Sequence, residues 1–504
     1  MKRTELRFIN FKVFIAAFII GCFVAFGQAP WSFFPVSIVG LIGLFALTTY
    51  FKSHSIEKII FIFGFGYFSL TLHWVVQPFL VETKYYGWLA PFGFLTLVTL
   101  CSSFWTITTY FVLSLSRSFL SLSIAFSLTL GEFIRSYAFS GFPWGLVGYI
   151  WLDTPLAQLA GWIGPLGLTG FTFLIAGIPF SINNSFRVLP TFSVIFLVSI
   201  IIAVLRTDNI EQSSSKKVVR LVQPNAVQEK KWDPNFAPIY FKKLLSFSSE
   251  KSNQNLDLVV WPETAIVPWL DDASKELATI SESIPLGADL IFGIRRHEKN
   301  KIFNSLILLS NDGVVKEKYD KYHLVPFGEY IPVLRFLSDH NILFQNNYDT
   351  FGFSSGSGAK ILSSKIGLIR PLICYEAIFF QEINNNPRPN FLVNLTNDGW
   401  LGSWAGPEQH LQQVRMRAIE QGLPVIRSAN TGISAVIDPY GNVIESIPLD
   451  SDGYVDVNLP SRLNETLYSK LGETLFLIPL FFWFLILLVL EKRLRLDGGS
   501  SRSY

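Results

Sequence analysis

Three short runs set a reactive side chain just past a stretch read as a strand. Val259-Val260-Trp261-Pro262-Glu263 ends in a carboxylate. Lys318-Tyr319-Asp320-Lys321-Tyr322-His323 carries an ammonium, with Glu329 following in Val325-Pro326-Phe327-Gly328-Glu329. Leu372-Ile373-Cys374-Tyr375-Glu376 carries a thiol. Strand ends converge at one edge of a sheet, so residues this far apart in sequence can meet there. The chemistry of such a meeting is specific. A thiol attacks as thiolate and needs a base or cation beside it. Glu263 can take the proton, and Lys321 can offset negative charge on the sulfur and on the oxyanion of a tetrahedral intermediate. The product is a thioester on Cys374, to be passed to a second nucleophile. Taken singly, each signal has a plainer reading: an inert strand-end thiol, a turn glutamate, a solvated lysine.

The elements that must position these groups lie in a polar segment, Arg206–Glu473. Val218–Val222, Leu256–Trp261, Leu290–Ile294, Phe303–Leu309, Gly367–Cys374, Phe391–Leu395 and Val425–Ser428 read as strands. Asn311-Asp312-Gly313 and Pro439-Tyr440-Gly441-Asn442 read as hairpin turns. Pro407–Gln421 has helical character, with a basic patch at Arg415 and Arg417. A layered α/β fold accounts for this alternation.

The rest of the chain is of another kind. Half of the 504 residues are hydrophobic and only 16% are charged, with a mean hydropathy of +0.37. Seven apolar stretches between Val13 and Leu205 and one more at Thr474–Leu490 are expected to cross a bilayer core of roughly 30 Å. The cations Lys2, Arg3, Arg7, Lys12, Lys52, Lys58, Arg117, Arg187, Lys492, Arg493 and Arg495 then fall on one side. By the positive-inside rule both termini are expected in the cytoplasm and the polar segment outside it. The expected organisation is a seven-span membrane domain at residues 1–205, the catalytic domain at 206–473, and a final span with a cytoplasmic tail at 474–504. A net charge of +3 with no basic, aromatic-interleaved block excludes nucleic acid. Cys22 and Cys101 lie in apolar runs, which leaves Cys374 without an intradomain disulfide partner, and no Cys/His spacing suggests a metal site. No cofactor is expected.

The three reactive segments resemble the Glu-Lys-Cys triad of the nitrilase superfamily. With its spans, the chain resembles the bacterial apolipoprotein N-acyltransferases from about Gly131 onward. The matching runs include Gly141-Phe142-Pro143-Trp144, Gln223-Pro224-Asn225, Lys231-Trp232-Asp233-Pro234, Trp261-Pro262-Glu263, His323 to Glu329, Cys374-Tyr375-Glu376, Asn397-Asp398-Gly399-Trp400 and Met416-Arg417-Ala418. The resemblance implies a multispan α-helical membrane domain plus an α/β nitrilase-like (α-β-β-α sandwich) extracytoplasmic domain. It implies Glu263 as general base, Lys321 as oxyanion stabiliser and Cys374 as acyl-carrying nucleophile. Glu329 would position the triad, Trp232 and Tyr375 would shape the acyl or acceptor pocket, Glu376 matches a further position needed for activity, and Trp144 and Trp400 fit membrane-side contacts. Leu401 departs from the pattern, standing where an aromatic is expected.

The implied reaction is ping-pong. An acyl chain moves from a membrane phospholipid to Cys374, then to the amino group of an S-diacylglyceryl cysteine at a lipoprotein N-terminus. The implied setting is the bacterial inner membrane, with the catalytic domain periplasmic and the enzyme monomeric. The Phe-rich stretch Ile331–Phe353 reads as a lid or membrane-touching arm.

Three other readings stand beside this one. Gly352-Phe353-Ser354-Ser355-Gly356 spells a nucleophile elbow, with Asp398 and His410 following in the order of a serine hydrolase, but Asp349–Ala359 reads as a Gly/Ser-rich loop. A membrane-tethered nitrilase or amidase acting on a small amide shares the triad, although one anchor would suffice for it. A transporter would need intramembrane ionisable groups; His73 is the clearest such residue, and a span-end histidine usually packs. His323 reads as structural.

Overall fold

Long apolar runs on one side and short alternating ones on the other separate into two units: Met1–Asn209 with Thr466–Tyr504, and Ile210–Glu465. The computed structural model describes residues 3–51, 55–181, 214–334, 352–383 and 386–500, with isolated positions between 197 and 204. The expected span 192–205 and the Phe-rich stretch 331–353 therefore lie mostly outside the described residues.

The first unit is helical, with long helices at Arg3–Ala25, Phe34–Tyr50, Ile56–Thr71, Ala90–Leu115, Leu120–Tyr137, Ala160–Gly177 and Thr474–Ser500. Among the described residues, three stretches are long and apolar enough to cross a membrane: Thr83–Leu115, Pro155–Phe180 and Thr474–Leu496. Ile56–Thr71 and His73–Val81 form a further such pair, bent by 64°. Phe11–Ala25 and Phe34–Tyr50 are shorter apolar helices. Leu120–Tyr137 is less apolar because it carries Glu132 and Arg135, both buried and paired with each other. Trp105 Nε1 donates to Glu132 at 2.7 Å, while Arg135 donates to the carbonyl oxygens of Phe142 and Trp144. Through Arg135 this buried pair ties the helix to the Gly-Phe-Pro-Trp turn that follows it. His73 Nδ1 lies 2.7 Å from the carbonyl oxygen of Leu70, in a short 3-10 turn.

The second unit contains two six-stranded sheets. One uses β1 (Ser214–Gln223), β2 (Leu258–Val260), β3 (Asp289–Glu298), β4 (Lys301–Leu309), β5 (Val315–Asp320) and β12 (Gly453–Pro460), in the order β12-β1-β2-β3-β4-β5. The other uses β6 (Leu362–Ser364), β7 (Gly367–Ile373), β8 (Phe391–Thr396), β9 (Val425–Ala429), β10 (Ser434–Ile437) and β11 (Val443–Ile447), in the order β11-β10-β9-β8-β7-β6. Each has three parallel strands, β1-β2-β3 and β7-β8-β9, flanked by antiparallel ones.

Alternation along the strands explains the layering. Leu258 and Val260 point into a core shared with Ile373, Val393 and Ile426 of the other sheet. Val259 points the opposite way, to a core with Leu244 and Ile280 of the helices Ala237–Ser249 and Ser274–Ser283. Leu392 and Val425 pack on Val414 and Ala418 of the helix Gly406–Gln421. Side chains on successive strand residues face opposite sides, so strands covered on both faces read as continuous apolar runs. The result is helix on sheet on sheet on helix. One sequence expectation fails in this unit: Arg417 is fully buried, donating to Glu420 and to the carbonyl oxygen of Ile378, so it forms no surface basic patch with Arg415.

Candidate active site

Glu263, Lys321 and Cys374 each lie just beyond the end of a strand, as the sequence implies: past β2, past β5 and past β7. Backbone strain marks the same places. Cys374 has φ +51°, Thr264 beside Glu263 has φ +45°, and Phe327 beside Glu329 has φ +65°. A non-glycine residue held there costs on the order of 1–3 kcal/mol, and such residues cluster at functional sites. At Cys374 the strain makes a sharp turn from strand to 3-10 helix that presents the thiol.

Glu376 holds that turn. Its Oε2 accepts from the Ile373 N–H at 2.7 Å, while Oε1 accepts from the Tyr322 N–H at 2.7 Å, from the Tyr319 hydroxyl at 2.7 Å and from the His323 N–H at 3.2 Å. One buried carboxylate thus ties the cysteine elbow to the strand end that carries Lys321. Glu376 supports the site through the backbone.

Lys321 is buried between two carboxylates. Its Nζ donates to Glu329 Oε1 at 2.8 Å and stands 4.0 Å from Glu263 Oε1. Burial by itself would weaken the ammonium; the charges of Glu329 and then Glu263 outweigh it and hold the group above its ordinary range. Glu329 Oε2 accepts in turn from the Val325 N–H at 2.8 Å. Asn304, in the middle of β4, donates its amide to Glu263 Oε1 at 2.6 Å and reaches Glu329 Oε1 at 3.4 Å, and its carbonyl oxygen accepts from the Lys321 N–H at 2.8 Å. Lys231, also buried, donates from Nζ to the carbonyl oxygen of Glu263 at 3.1 Å and to Thr264 Oγ1 at 2.9 Å. Burial depresses the Lys231 ammonium to about 8, with Glu263 opposing and Arg295 adding to the fall.

Burial pushes the Cys374 thiol up to about 12, and the negative charge of Glu263 adds to it while Lys321 opposes. The resting sulfur is therefore a neutral thiol, and a thiolate forms only as a base removes the proton. The Thr396 hydroxyl, which donates to Asp398 Oδ1 at 2.9 Å, also hydrogen-bonds at the thiol and opposes the rise. Asp398 is buried and pairs with Arg427 and with His410 Nδ1, the latter at 2.8 Å; His410 Nε2 lies 3.2 Å from the carbonyl oxygen of Cys374.

The remaining expected residues are spread wider. Trp232 is 39% exposed, with the Arg295 guanidinium carbon 4.1 Å from its ring centre. Tyr375 is half-buried and packs edge-on against Phe379, which stacks on His323 at 3.5 Å; His323 Nδ1 is 2.8 Å from Glu382, a structural setting. Trp400 is 43% exposed in the turn after β8. Trp144 belongs to the helical unit, buried against Trp74. The serine alternative lacks its scaffold: the Ser354 N–H donates to the Ile302 carbonyl oxygen from a loop, with no helix after it. Asp398 and His410 do pair, but beneath Cys374. Asn304, Lys231, Thr396 and Arg427 were not singled out from sequence as site residues. A polar pair, Asn304-Ser305, inside the apolar run Phe303–Leu309 was the available signal for the first.

Two six-stranded sheets sandwiched between helices are the fold of the carbon-nitrogen hydrolases. The Carbon-nitrogen hydrolase family profile matches residues 218–467, and the Apolipoprotein N-acyltransferase N-terminal domain profile matches residues 20–178. The chain is 36% identical to an apolipoprotein N-acyltransferase of Rhodopseudomonas palustris over 438 residues, 82% of this chain and 81% of that one. It is 33% identical to that of Brucella melitensis over 478 residues, 89% of this chain and 90% of that one. Among solved structures it is similar to a CN-hydrolase superfamily protein of Xanthomonas campestris, with 22% identity, a TM-score of 0.35, and coverage of 49% of this chain and 91% of that one. The chain belongs to the apolipoprotein N-acyltransferase family.

Proposed function

We propose that the enzyme works through an acyl thioester on Cys374, with Glu263 as general base and Lys321 as oxyanion stabiliser. The observation that carries this reading is the placement of Lys321 Nζ, 2.8 Å from Glu329 and 4.0 Å from Glu263, with its charge and that of Glu263 both acting on the Cys374 thiol. Glu263 removes the thiol proton as sulfur attacks an ester carbonyl of a membrane phospholipid. Lys321 stabilises the tetrahedral oxyanion. The ester C–O bond then breaks, and the lysophospholipid oxygen leaves with the proton from Glu263. In the second half, the amino group of an S-diacylglyceryl cysteine attacks the thioester, Glu263 takes a proton from the nitrogen, and the sulfur leaves and is reprotonated. Glu329 and Glu376 position the lysine and the elbow; Trp232, Tyr375 and Trp400 contact the lipidic substrates.

Both substrates are membrane lipids. The multispan arrangement, with the catalytic unit on the periplasmic face of the inner membrane and both termini in the cytoplasm, is supported by the apolar helices and by the one-sided cations.

The test is to incubate the purified protein with phospholipid labelled in its acyl chains and without acceptor. Label on the protein, released by neutral hydroxylamine and absent in Cys374→Ala, supports the thioester; no label on folded protein sinks it.

A further inference from the structure

Arg295 leaves β3 opposite Asn304 of β4, its cross-strand partner. Directly opposite residues of an antiparallel pair share one face of the sheet, so Arg295 stands beside the amide that holds Glu263. Two indoles pack on its guanidinium, with the central carbon 4.1 Å from the ring centre of Trp232 and 4.4 Å from that of Trp269. Aromatic packing takes up the faces of this planar group and leaves its N–H edge for hydrogen bonding. On that edge, Nη2 donates to the Val267 carbonyl oxygen at 2.9 Å, and Nε is buried with no hydrogen-bond partner.

Lys231 lies next to it, and its charge and that of Arg295 act on each other. Among the described residues no carboxylate comes within 4.0 Å of either cation, whereas Lys321 has two. Two cations beside a catalytic centre with no ion-pair partner within 4.0 Å among the described residues, one of them a planar donor edge, fit a bound anion. The edge geometry suits two oxygens of a phosphate.

We propose that Arg295, with Lys231 behind it and Trp232 as its exposed cover, binds the phosphodiester of the phospholipid donor. This deepens the acyl-enzyme reading above and rests on it. Only glycerol carbons and the ester oxygen separate that phosphate from the ester carbonyl, so a headgroup anchored at Arg295 holds the ester a few bonds away, beside the Glu263 end of the site. The site then favours glycerophospholipids over neutral esters carrying the same acyl chain.

The test compares full-length wild type, Arg295→Gln and Arg295→Lys in detergent. Acylation of Cys374 is measured with phosphatidylethanolamine and with the p-nitrophenyl ester of the same fatty acid. In R295Q the ratio of kcat/KM for phospholipid to that for the nitrophenyl ester is expected to fall about tenfold to a hundredfold, chiefly through KM, with R295K falling between the two. An unchanged ratio, whether because neither rate moves or because both fall together, overturns the proposal and leaves Arg295 a packing residue. Inorganic phosphate added to the nitrophenyl ester reaction is expected to leave the wild-type rate unchanged; a stimulation lost in R295Q would assign the site to a free anion instead. Wild-type labelling of Cys374 from phospholipid is the control that separates the two claims. Its absence counts against the thioester itself, while labelling with no donor-dependent loss in R295Q counts against Arg295 alone.

Discussion

The side-chain amide of Asn304 donates to Glu263 at 2.6 Å, and this one bond fixes the carboxylate proposed to take the thiol proton. Because the same residue also accepts from the Lys321 backbone, base and cation are registered against each other by β4. Replacing Asn304 with Ala is expected to slow formation of the acyl-enzyme by about 10- to 100-fold, the scale of a small misplacement of a reacting group. Single-turnover labelling of Cys374 measures this, and a rate within twofold of wild type would remove Asn304 from the catalytic arrangement.

Lys321 is the only lysine among the described residues that pairs with both Glu263 and Glu329. Lys321→Met deletes the donor proposed to stabilise the oxyanion, and acylation is expected to fall on the order of 10²–10³-fold. Glu329→Gln leaves Lys321 in place but weakens its tether, so the loss should be smaller. Equal losses in the two variants, with folding intact, would argue that Lys321 acts on structure alone.

Gly293 runs past Glu263 so closely that a Cβ there would meet Thr264 N at 2.4 Å and Glu263 Cα at 2.6 Å. These are backbone atoms and must move as a unit. Gly293→Ala is therefore expected to displace Glu263 and cut acylation about 100-fold. Catalysis at the wild-type level in this variant would mean that the strand end tolerates the shift.

The pH behaviour of Cys374 follows from its burial, which raises the thiol to about 12 with Glu263 adding to the rise. An unfolded thiol titrates at about 8.5. Between these values the unfolded chain loses a proton that the folded chain keeps, so this group's contribution to stability is present below about 8.5 and lost as pH rises toward 12. The resting enzyme's alkylation by iodoacetamide should accordingly show no step near pH 8.5. A step centred there would contradict a neutral resting thiol.

Asp398 has the opposite sign. Burial would raise it, yet Arg427 and then His410 outweigh burial and hold the carboxyl at about 2. Its contribution to stability is present above about 4, the ordinary aspartate range, and is lost as pH falls toward 2. Asp398→Asn leaves Arg427 buried beside a neutral partner and is expected to destabilise the unit by about 3–5 kcal/mol at neutral pH. Thermal or denaturant unfolding of the variant measures it, and a wild-type midpoint would show that the pair is not needed for folding.

What the sequence made legible were the groups whose type alone is unusual at a strand end. Glu263 and Cys374 follow strands that read as continuous apolar runs, Lys321 follows the charged edge strand β5, and the hairpins at Asn311-Asp312-Gly313 and at Pro439 to Asn442 connect β4 to β5 and β10 to β11. Less legible were partners set by cross-strand register. Asn304 reaches Glu263 because β3 and β4 pair Arg295 with Asn304, a fact of pairing that no local pattern encodes. Arg417 misled for a related reason: a cation on a polar-looking helix was satisfied inside, by Glu420 and a carbonyl oxygen. Edge strands such as β6 and β12 were hidden because one face outside the core dilutes their apolar signal.

The first and last strands of the catalytic unit are hydrogen-bonded neighbours, with Ser214 opposite Pro460. The chain therefore enters and leaves this unit side by side, as an insertion tolerated by the surrounding chain must. During synthesis the sheet of β1 cannot be completed at its β12 edge until residue 460 has emerged, so closure waits on a contact between the two ends of the inserted segment. Such long-range closure is slow, and it leaves the β1 edge unpaired while the nascent unit waits. The two ends that meet last are thus also the points at which the insert could be lifted out of the chain as a self-contained cassette.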